Sequence, residues 1–170
     1  MRYVALLRAI ANTPMAPFRD AMTDLGFTEV ESFGMSGNLI FAADGRAAGE
    51  FELQIAARFG TDAFVRTAAE MARTAADHPF RDQAGASVLF LASAPTAAGK
   101  RALQETAFAG SRPLLKGRTL HFTYPSTLAG RRGPVDFERL LGVRGTARSA
   151  RVVEQLAARM RGAQSKRPPR

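Results

Sequence analysis

The stretch RYVALLRAI (residues 2–10) decides the fold, because it opens with an apolar run typical of a strand that is buried on both faces. That run, Tyr3–Leu7, predicts the first strand. Apolar residues then recur at helical spacing, at Met15, Phe18, Met22 and Leu25. The sequence therefore predicts a strand followed by a helix that buries one face. Thr13 is expected to cap this helix, with Pro14 at its first position and Gly26 after its end.

The elements that follow complete a first half of the chain. Apolar and alternating patterns predict strands at Glu29–Phe33, Asn38–Ala42 and Ala63–Arg66. A helix is predicted at Ala48–Phe59, followed by Gly60. The order is β-α-β-β-α-β, which is the ferredoxin-like order.

The second half repeats this order without a visible repeat of residues. A capping box, Thr67 to Glu70, predicts a linking helix that stops before Pro79. After it, the sequence predicts a strand, a helix, a hairpin around Gly117 and two more helices. Their predicted bounds are Ser87–Ala92, Thr96–Phe108, Pro113–Lys116 with Arg118–Tyr124, Pro134–Leu141 and Ser149–Arg161.

The fold class is therefore α+β, with two ferredoxin-like (β-α-β-β-α) halves and extra C-terminal helices. In the second half a further helix is expected in place of the final strand. The predicted domains are 1–80, an N-terminal half with its linking helix, and 81–161, a C-terminal half. A basic flexible tail is predicted at 162–170.

Composition narrows the cellular context. The chain has 170 residues and no cysteine, so disulfides, thiolate metal sites and a cysteine nucleophile are excluded. The N-terminus lacks the pattern of a signal peptide, and no apolar stretch is long enough for a membrane span. A cytoplasmic bacterial protein that does not enter a membrane is expected.

Positive charge is concentrated at the C-terminal end. Residues 1–130 carry 13 Lys and Arg against 12 Asp and Glu, whereas residues 131–170 carry 11 against 3. The last nine residues, GAQSKRPPR, favour disorder. Such a tail can bind polyanions weakly and without specificity, or it can serve as a solubilising tail. No aromatic residue interleaves its cations, as a single-strand binder would usually require.

Metal and cofactor sites are not expected. The two histidines, His78 and His121, have no carboxylate at ligand spacing. His78 is expected at a helix end, where a cation suits the helix dipole, and His121 on the surface of a strand. No Gly-x-Ser-x-Gly nucleophile elbow is present, although a serine–histidine–acid triad is not excluded by spacing.

The polar turn Ser36-Gly37-Asn38 is the best candidate feature, since it offers two polar side chains and backbone N–H groups at the entrance of a buried strand. The same residue types are also ordinary turn formers. Arg8 is the second candidate, because it follows the first strand. Arg148 is the third, because it precedes Ser149, the expected cap of the last helix, whose first-turn N–H groups favour an anion.

The order of several short motifs resembles the bacterial domain-of-unknown-function family 1697 (DUF1697). These motifs are the opening stretch, the Leu25–Phe27 and Ser36–Phe41 segments, RFG, VRTAAE, HPF and LLGVRGTARS. The resemblance implies a role for the Ser-Gly-Asn turn. Members usually continue the first strand with Gly-Ile-Asn and a glycine-rich stretch, whereas this chain has Arg8-Ala9-Ile10-Ala11-Asn12 without glycine. In place of Ser149 the resemblance implies an asparagine.

These candidates lead to a hypothesis of ligand binding. A small anionic or nucleotide-like ligand would bind in a polar cleft between the two halves, at Arg8, Asn12, Ser36, Gly37, Asn38 and Arg148. The first and third strands of such a sheet are antiparallel neighbours, so Arg8 is expected beside the Ser36–Asn38 turn. The alternatives are a nucleic-acid-binding module that uses the basic C-terminal end and an enzyme of unknown reaction. The fold itself does not choose among them.

Overall fold

A computed structural model describes residues 1–130 and 133–162. In these ranges the chain forms six helices and ten strands. The helices are α1 (Ala16–Asp24), α2 (Ala48–Phe59), α3 (Ala68–Ala76), α4 (Ala97–Glu105), α5 (Phe137–Leu141) and α6 (Ala150–Gly162). The strands are β1 (Arg2–Leu7), β2 (Thr28–Ser32), β3 (Asn38–Ala42), β4 (Ala63–Thr67), β5 (Ala86–Leu91), β6 (Phe108–Ala109), β7 (Leu114–Lys116), β8 (Thr119–Thr123), β9 (Thr127–Leu128) and β10 (Gly145–Ser149).

The chain divides into two compact units. The first unit is Met1–Ala75 together with the chain from Glu154 onward, and the second is Ala76–Val153. The domain bounds predicted from the sequence, 1–80 and 81–161, stay predictions. The predicted tail, 162–170, lies outside the described residues except for Gly162.

The first unit contains an antiparallel sheet in the order β2-β3-β1-β4. All six residues of the central strand β1 are buried. One face of the sheet packs against α1 and α2 in a core rich in aromatic side chains, among them Tyr3, Phe41 and Phe51. Arg159 of α6 belongs to this unit, and its guanidinium lies 4.9 Å above the Phe33 ring.

The second unit contains a sheet with the same arrangement. Its order is β7-β8-β5-β10, and its strands are again antiparallel. When the four strands of each sheet are numbered along the chain, both sheets have the spatial order second, third, first, fourth. Leu89, Leu120 and Phe122 of this sheet share a core with Leu103 and Phe137 of the helices. The predicted α+β class with two ferredoxin-like halves is confirmed.

The expectation of a helix in place of the last strand of the second half is wrong. Gly145–Ser149 forms β10, which pairs with β5, and the helix starts only at Ala150. The strand was hidden because its buried positions include the polar residues Thr146 and Arg148. A hydrophobicity pattern cannot detect a strand whose inward residues are polar.

The two halves also have similar residues at one equivalent position, contrary to the expectation of a purely structural repeat. Arg66-Thr67-Ala68 and Arg148-Ser149-Ala150 occupy the same place, where the fourth strand of each half ends and a helix begins. Each arginine donates from Nη1 to the carbonyl of the preceding residue, over 2.9 Å for Arg66 and 2.8 Å for Arg148. Their cross-strand partners are Val4 and Val88. The repeat becomes visible only when the strands are aligned by topology.

Three predicted helix bounds need correction. Helix α1 begins after Met15 with Pro17 in its first turn, because the Thr13 hydroxyl donates to the carbonyl of Ala11 instead of capping the helix. Helix α4 ends at Glu105, since Phe108–Ala109 forms β6 and pairs with β9. Helix α5 starts at Phe137, where Asp136 provides the cap, rather than at Pro134.

Candidate ligand site

Arg8 lies directly after β1 and is half-buried. Its backbone N–H donates to the carbonyl of Asp62 over 2.9 Å. Its own carbonyl accepts from the hydroxyl of Thr61 over 2.8 Å. The segment that leads into β4 therefore fixes the main chain at the point from which the Arg8 side chain departs.

The Ser36–Asn38 turn lies beside the same end of β1. Asn38 is the cross-strand partner of Leu6, and the N–H of Leu7 donates to the carbonyl of Gly37 over 2.7 Å. Gly37 has φ of +70°, and a Cβ there would lie 2.8 Å from the Cβ of Leu7. Only glycine allows this approach, so the turn can lie beside the end of β1, as expected, because residue 37 is glycine.

The two polar side chains of the turn have different environments. Asn38 is 2% exposed, and its Nδ2 donates to the carbonyl of Phe33 over 2.9 Å. The Phe33 N–H in turn donates to the Asn38 carbonyl over 3.0 Å, which closes the turn. Ser36 is exposed. Asn38 is therefore held inside the turn, whereas Ser36 lies at the surface, and the ligand-binding role predicted for both stays a prediction.

The loop after Arg8 adopts a backbone that usually requires glycine. Ala9 has φ of +55° and Asn12 has φ of +51°, although neither is glycine. Asparagine tolerates this region, but for alanine it costs about 1–2 kcal/mol. Strained residues of this kind cluster at functional sites. The absence of glycine from the sequence of this loop thus did not prevent a turn conformation, and Asn12 is exposed on it.

Thr61 and Asp62 are members of this region that the sequence analysis missed. They precede β4, which is the second antiparallel neighbour of β1. The same argument that placed the Ser36–Asn38 turn beside Arg8 could have found them, since the first strand of this sheet has neighbours on both sides. Three segments of the first unit therefore meet at the end of β1.

Arg148 lies in the second unit, within β10 rather than in a loop. It is 9% exposed, and its Nη1 donates to the Thr146 hydroxyl over 2.8 Å. Burial lowers the pKa of Arg148 to about 10. Ser149 is a helix cap as expected, because its Oγ accepts from the N–H of Val152 over 3.3 Å. The anion contact predicted for Arg148 stays a prediction.

Both histidines are buried in the second unit, so the surface position expected for His121 is wrong, whereas His78 follows the end of α3 as expected. Their rings lie 4.8 Å apart at 83°. Nδ1 of His78 accepts from the N–H of Phe80, and its Nε2 lies 3.1 Å from the carbonyl oxygen of Ser87. Burial, with help from His78 and Lys116, lowers the pKa of His121 to about 4.

Three of the cavities in the described part of the chain lie away from the predicted site residues. In the second unit, one of about 550 Å³ lies near Pro134, Asp136 and Arg139, and one of about 350 Å³ lies between α4 and β7. In the first unit, one of about 190 Å³ lies between α1 and α2. Within residues 1–130 and 133–162 no cluster of three or more histidine or acidic side chains could hold a metal ion. The helices of the same ranges include none that could span a bilayer.

The comparisons with known proteins agree with the fold. The model of the family "Protein of unknown function (DUF1697)" matches residues 1–121, which include β1, the Ser36–Asn38 turn and the Thr61–Asp62 segment. The chain belongs to DUF1697. The solved structure of the conserved bacterial protein SP0830 from Streptococcus pneumoniae is similar to this DUF1697 protein with a TM-score of 0.68 and 17% identity. The match covers 94% of this chain and 98% of that one, and at this identity it shows the fold alone. No curated protein matches the chain.

Proposed function

We propose that this DUF1697 protein binds a small anionic or nucleotide-like ligand at the end of β1. The observation that carries the proposal is the convergence of three segments around Arg8. Main-chain hydrogen bonds join the end of β1 to Gly37 on one side and to Asp62 on the other. The planar donors of a guanidinium match both phosphate and carboxylate, and their fixed fork geometry limits the side-chain freedom lost per hydrogen bond.

The surrounding groups favour a ligand with hydroxyls beside its anionic group. Asn12 is exposed in the loop that follows Arg8, and Ser36 is exposed in the turn that pairs with the end of β1. Thr61 and Asp62 complete the region. A guanidinium suits a phosphate, whereas hydroxyl, amide and carboxylate groups suit a sugar hydroxyl. This combination supports a nucleotide-like ligand over a simple inorganic anion.

Arg148 was predicted from the sequence to contribute to the same ligand, and this stays a prediction. Its lowered pKa of about 10 still leaves the guanidinium charged at neutral pH. Substituting Arg148 with Gln tests the contribution separately from Arg8. An unchanged affinity would confine the proposal to the first unit.

Calorimetric titration of the full chain with ADP, AMP and inorganic phosphate tests the proposal. Arg8→Gln is expected to weaken the binding of ADP at least tenfold, because a charged hydrogen bond is lost. Arg73→Gln is the matched control, since Arg73 is exposed on α3 of the same unit, away from the end of β1. Equal affinity of the Arg8→Gln variant and the unchanged protein, or no binding of any probe at millimolar concentration, would refute it.

The proposal also covers location and the basic end of the chain. A cytoplasmic, bacterial setting fits the absence of cysteine from the sequence. Weak, non-specific binding of polyanions through residues 163–170 fits their three cations. This second activity is independent of Arg8 and is separated from it by the tail deletion described in the Discussion.

A further inference from the structure

A groove in the second unit lies between α4 and the edge strand β7. Its volume is about 350 Å³, within the range of about 300–1,000 Å³ typical of small-molecule sites. The residues that line it are Lys100, Leu103, Gln104, Arg112, Pro113, Leu114, Leu115 and Gly117. The first three are at positions i, i+3 and i+4 of α4, so a single face of this helix forms one wall.

The groove has an apolar floor. Leu103 is 6% exposed and belongs to the core of the second unit, and Leu115 packs against that core. Leu114 is 40% exposed and contributes an apolar rim. An elongated apolar group in the groove would cover these side chains and be removed from water.

The charge of the groove is one-sided. Lys100 and Arg112 are cations, and no carboxylate is among the lining residues. Nη1 of Arg112 donates to the carbonyl of Gln104 over 2.8 Å, which holds the guanidinium against α4 and leaves further donors for a ligand. Lys100 forms no ion pair within the described part of the chain.

The equivalent position in the first unit is bridged by a hydrogen bond between the helix and the edge strand. There α1 packs on the edge strand β2. The Arg19 guanidinium donates to the Ser32 hydroxyl over 2.9 Å and joins the helix to the strand. Strand β2 has five residues, whereas β7 has three. The short edge strand leaves room between β7 and α4.

We propose that this groove binds an amphipathic anion, with its apolar body on Leu103 and Leu115 and its carboxylate or phosphate group held by Lys100 and Arg112. The site belongs to the second unit and uses no residue of the ligand site proposed at the end of β1. The shared chemistry is a single anionic head on an apolar chain. A carboxylate head and a phosphate head are distinguished by the probes.

The test is a titration of the full-length protein, followed by the amide signals in NMR, with decanoate and with decyl phosphate below their critical micelle concentrations. Hexanoate and octanoate provide a series of chain lengths. Inorganic phosphate lacks the apolar body, and decyl maltoside lacks the charge. The proposal expects shifts confined to α4 and β7, with affinity that rises with chain length and depends on the anionic head.

The decisive variant is Lys100→Gln/Arg112→Gln, which is expected to lose at least tenfold in affinity for the tighter of the two decyl probes. Its matched control is Arg101→Gln/Lys116→Gln, which removes two cations, one from α4 and one from β7, that do not line the groove. The control is expected to bind within twofold of the unchanged protein. Equal losses in both variants would show a general charge effect and overturn the proposal. Binding of decyl maltoside as tight as that of the anions, or no binding of either decyl probe, would also overturn it.

Discussion

Gly37 allows the Ser36–Asn38 turn to lie close to the end of β1, where Arg8 follows. Gly37→Ala is expected to lower the free energy of unfolding by about 1–3 kcal/mol, because its Cβ would meet the Cβ atoms of Leu7 at 2.8 Å and Ile10 at 3.0 Å. Urea denaturation measures the change. Gly34→Ala is the control, since Gly34 has a similar φ of +64° but open space around a Cβ. Equal losses in the two variants would show that the backbone angle alone matters.

His121 makes the stability of the protein depend on pH. Its pKa is lowered to about 4 in the folded state from an ordinary 6.5, by burial first and by His78 and Lys116 next, while Asp77 opposes them. The unfolded chain therefore binds more protons between these pH values. The free energy of unfolding is therefore expected to be highest above pH 6.5 and to fall as pH falls toward 4, by up to about 3 kcal/mol.

The measurement for His121 is the free energy of unfolding at a series of pH values between 4 and 7. His121→Phe keeps an aromatic ring against His78 and removes the titrating group. It is expected to flatten this part of the curve, whatever its effect on stability at pH 7. A slope that persists in the variant would assign the pH dependence to other groups.

At the scale of the element, helix caps decide where the helices start. The capping box expected at the start of α3 is confirmed: the Thr67 N–H donates to Oε2 of Glu70 over 2.8 Å, and the Glu70 N–H donates to Oγ1 of Thr67 over 3.2 Å. Thr67→Ala is expected to cost about 1 kcal/mol in unfolding free energy. Thr13→Ala, at the position where a cap was wrongly expected, should cost less than about 0.5 kcal/mol. Thermal unfolding compares the two variants, and equal losses would contradict the assignment of the caps.

At the scale of the whole molecule, the basic C-terminal end is expected to bind polyanions weakly and without specificity. Deleting residues 163–170 removes Lys166, Arg167 and Arg170. The affinity for any RNA or DNA is expected to fall by a similar factor, and the slope of log K against log salt to become flatter by about 2–3. Fluorescence anisotropy at several salt concentrations checks this. Tight binding of one sequence by the shortened protein would favour a nucleic-acid-binding module instead.

The sequence by itself determined the fold class and the neighbourhood of Arg8 and the Ser36–Asn38 turn. Continuous apolar runs such as Tyr3–Leu7 and apolar residues at helical spacing indicate where strands and helices lie. The order of these elements then fixes which strand ends are neighbours. The capping box at Thr67 was equally visible, because its two hydrogen bonds join residues only three positions apart.

Only the tertiary structure decided the environment of polar residues in the sheets. Strand β10 escaped detection because Thr146 and Arg148 are buried polar residues, and the burial of His121 depends on packing around β8. The groove at α4 and β7 likewise depends on the tertiary structure, since it forms between a helix and a short edge strand that lie side by side. Burial depends on contacts between residues that are far apart in the sequence, so residue types and local periodicity do not reveal it.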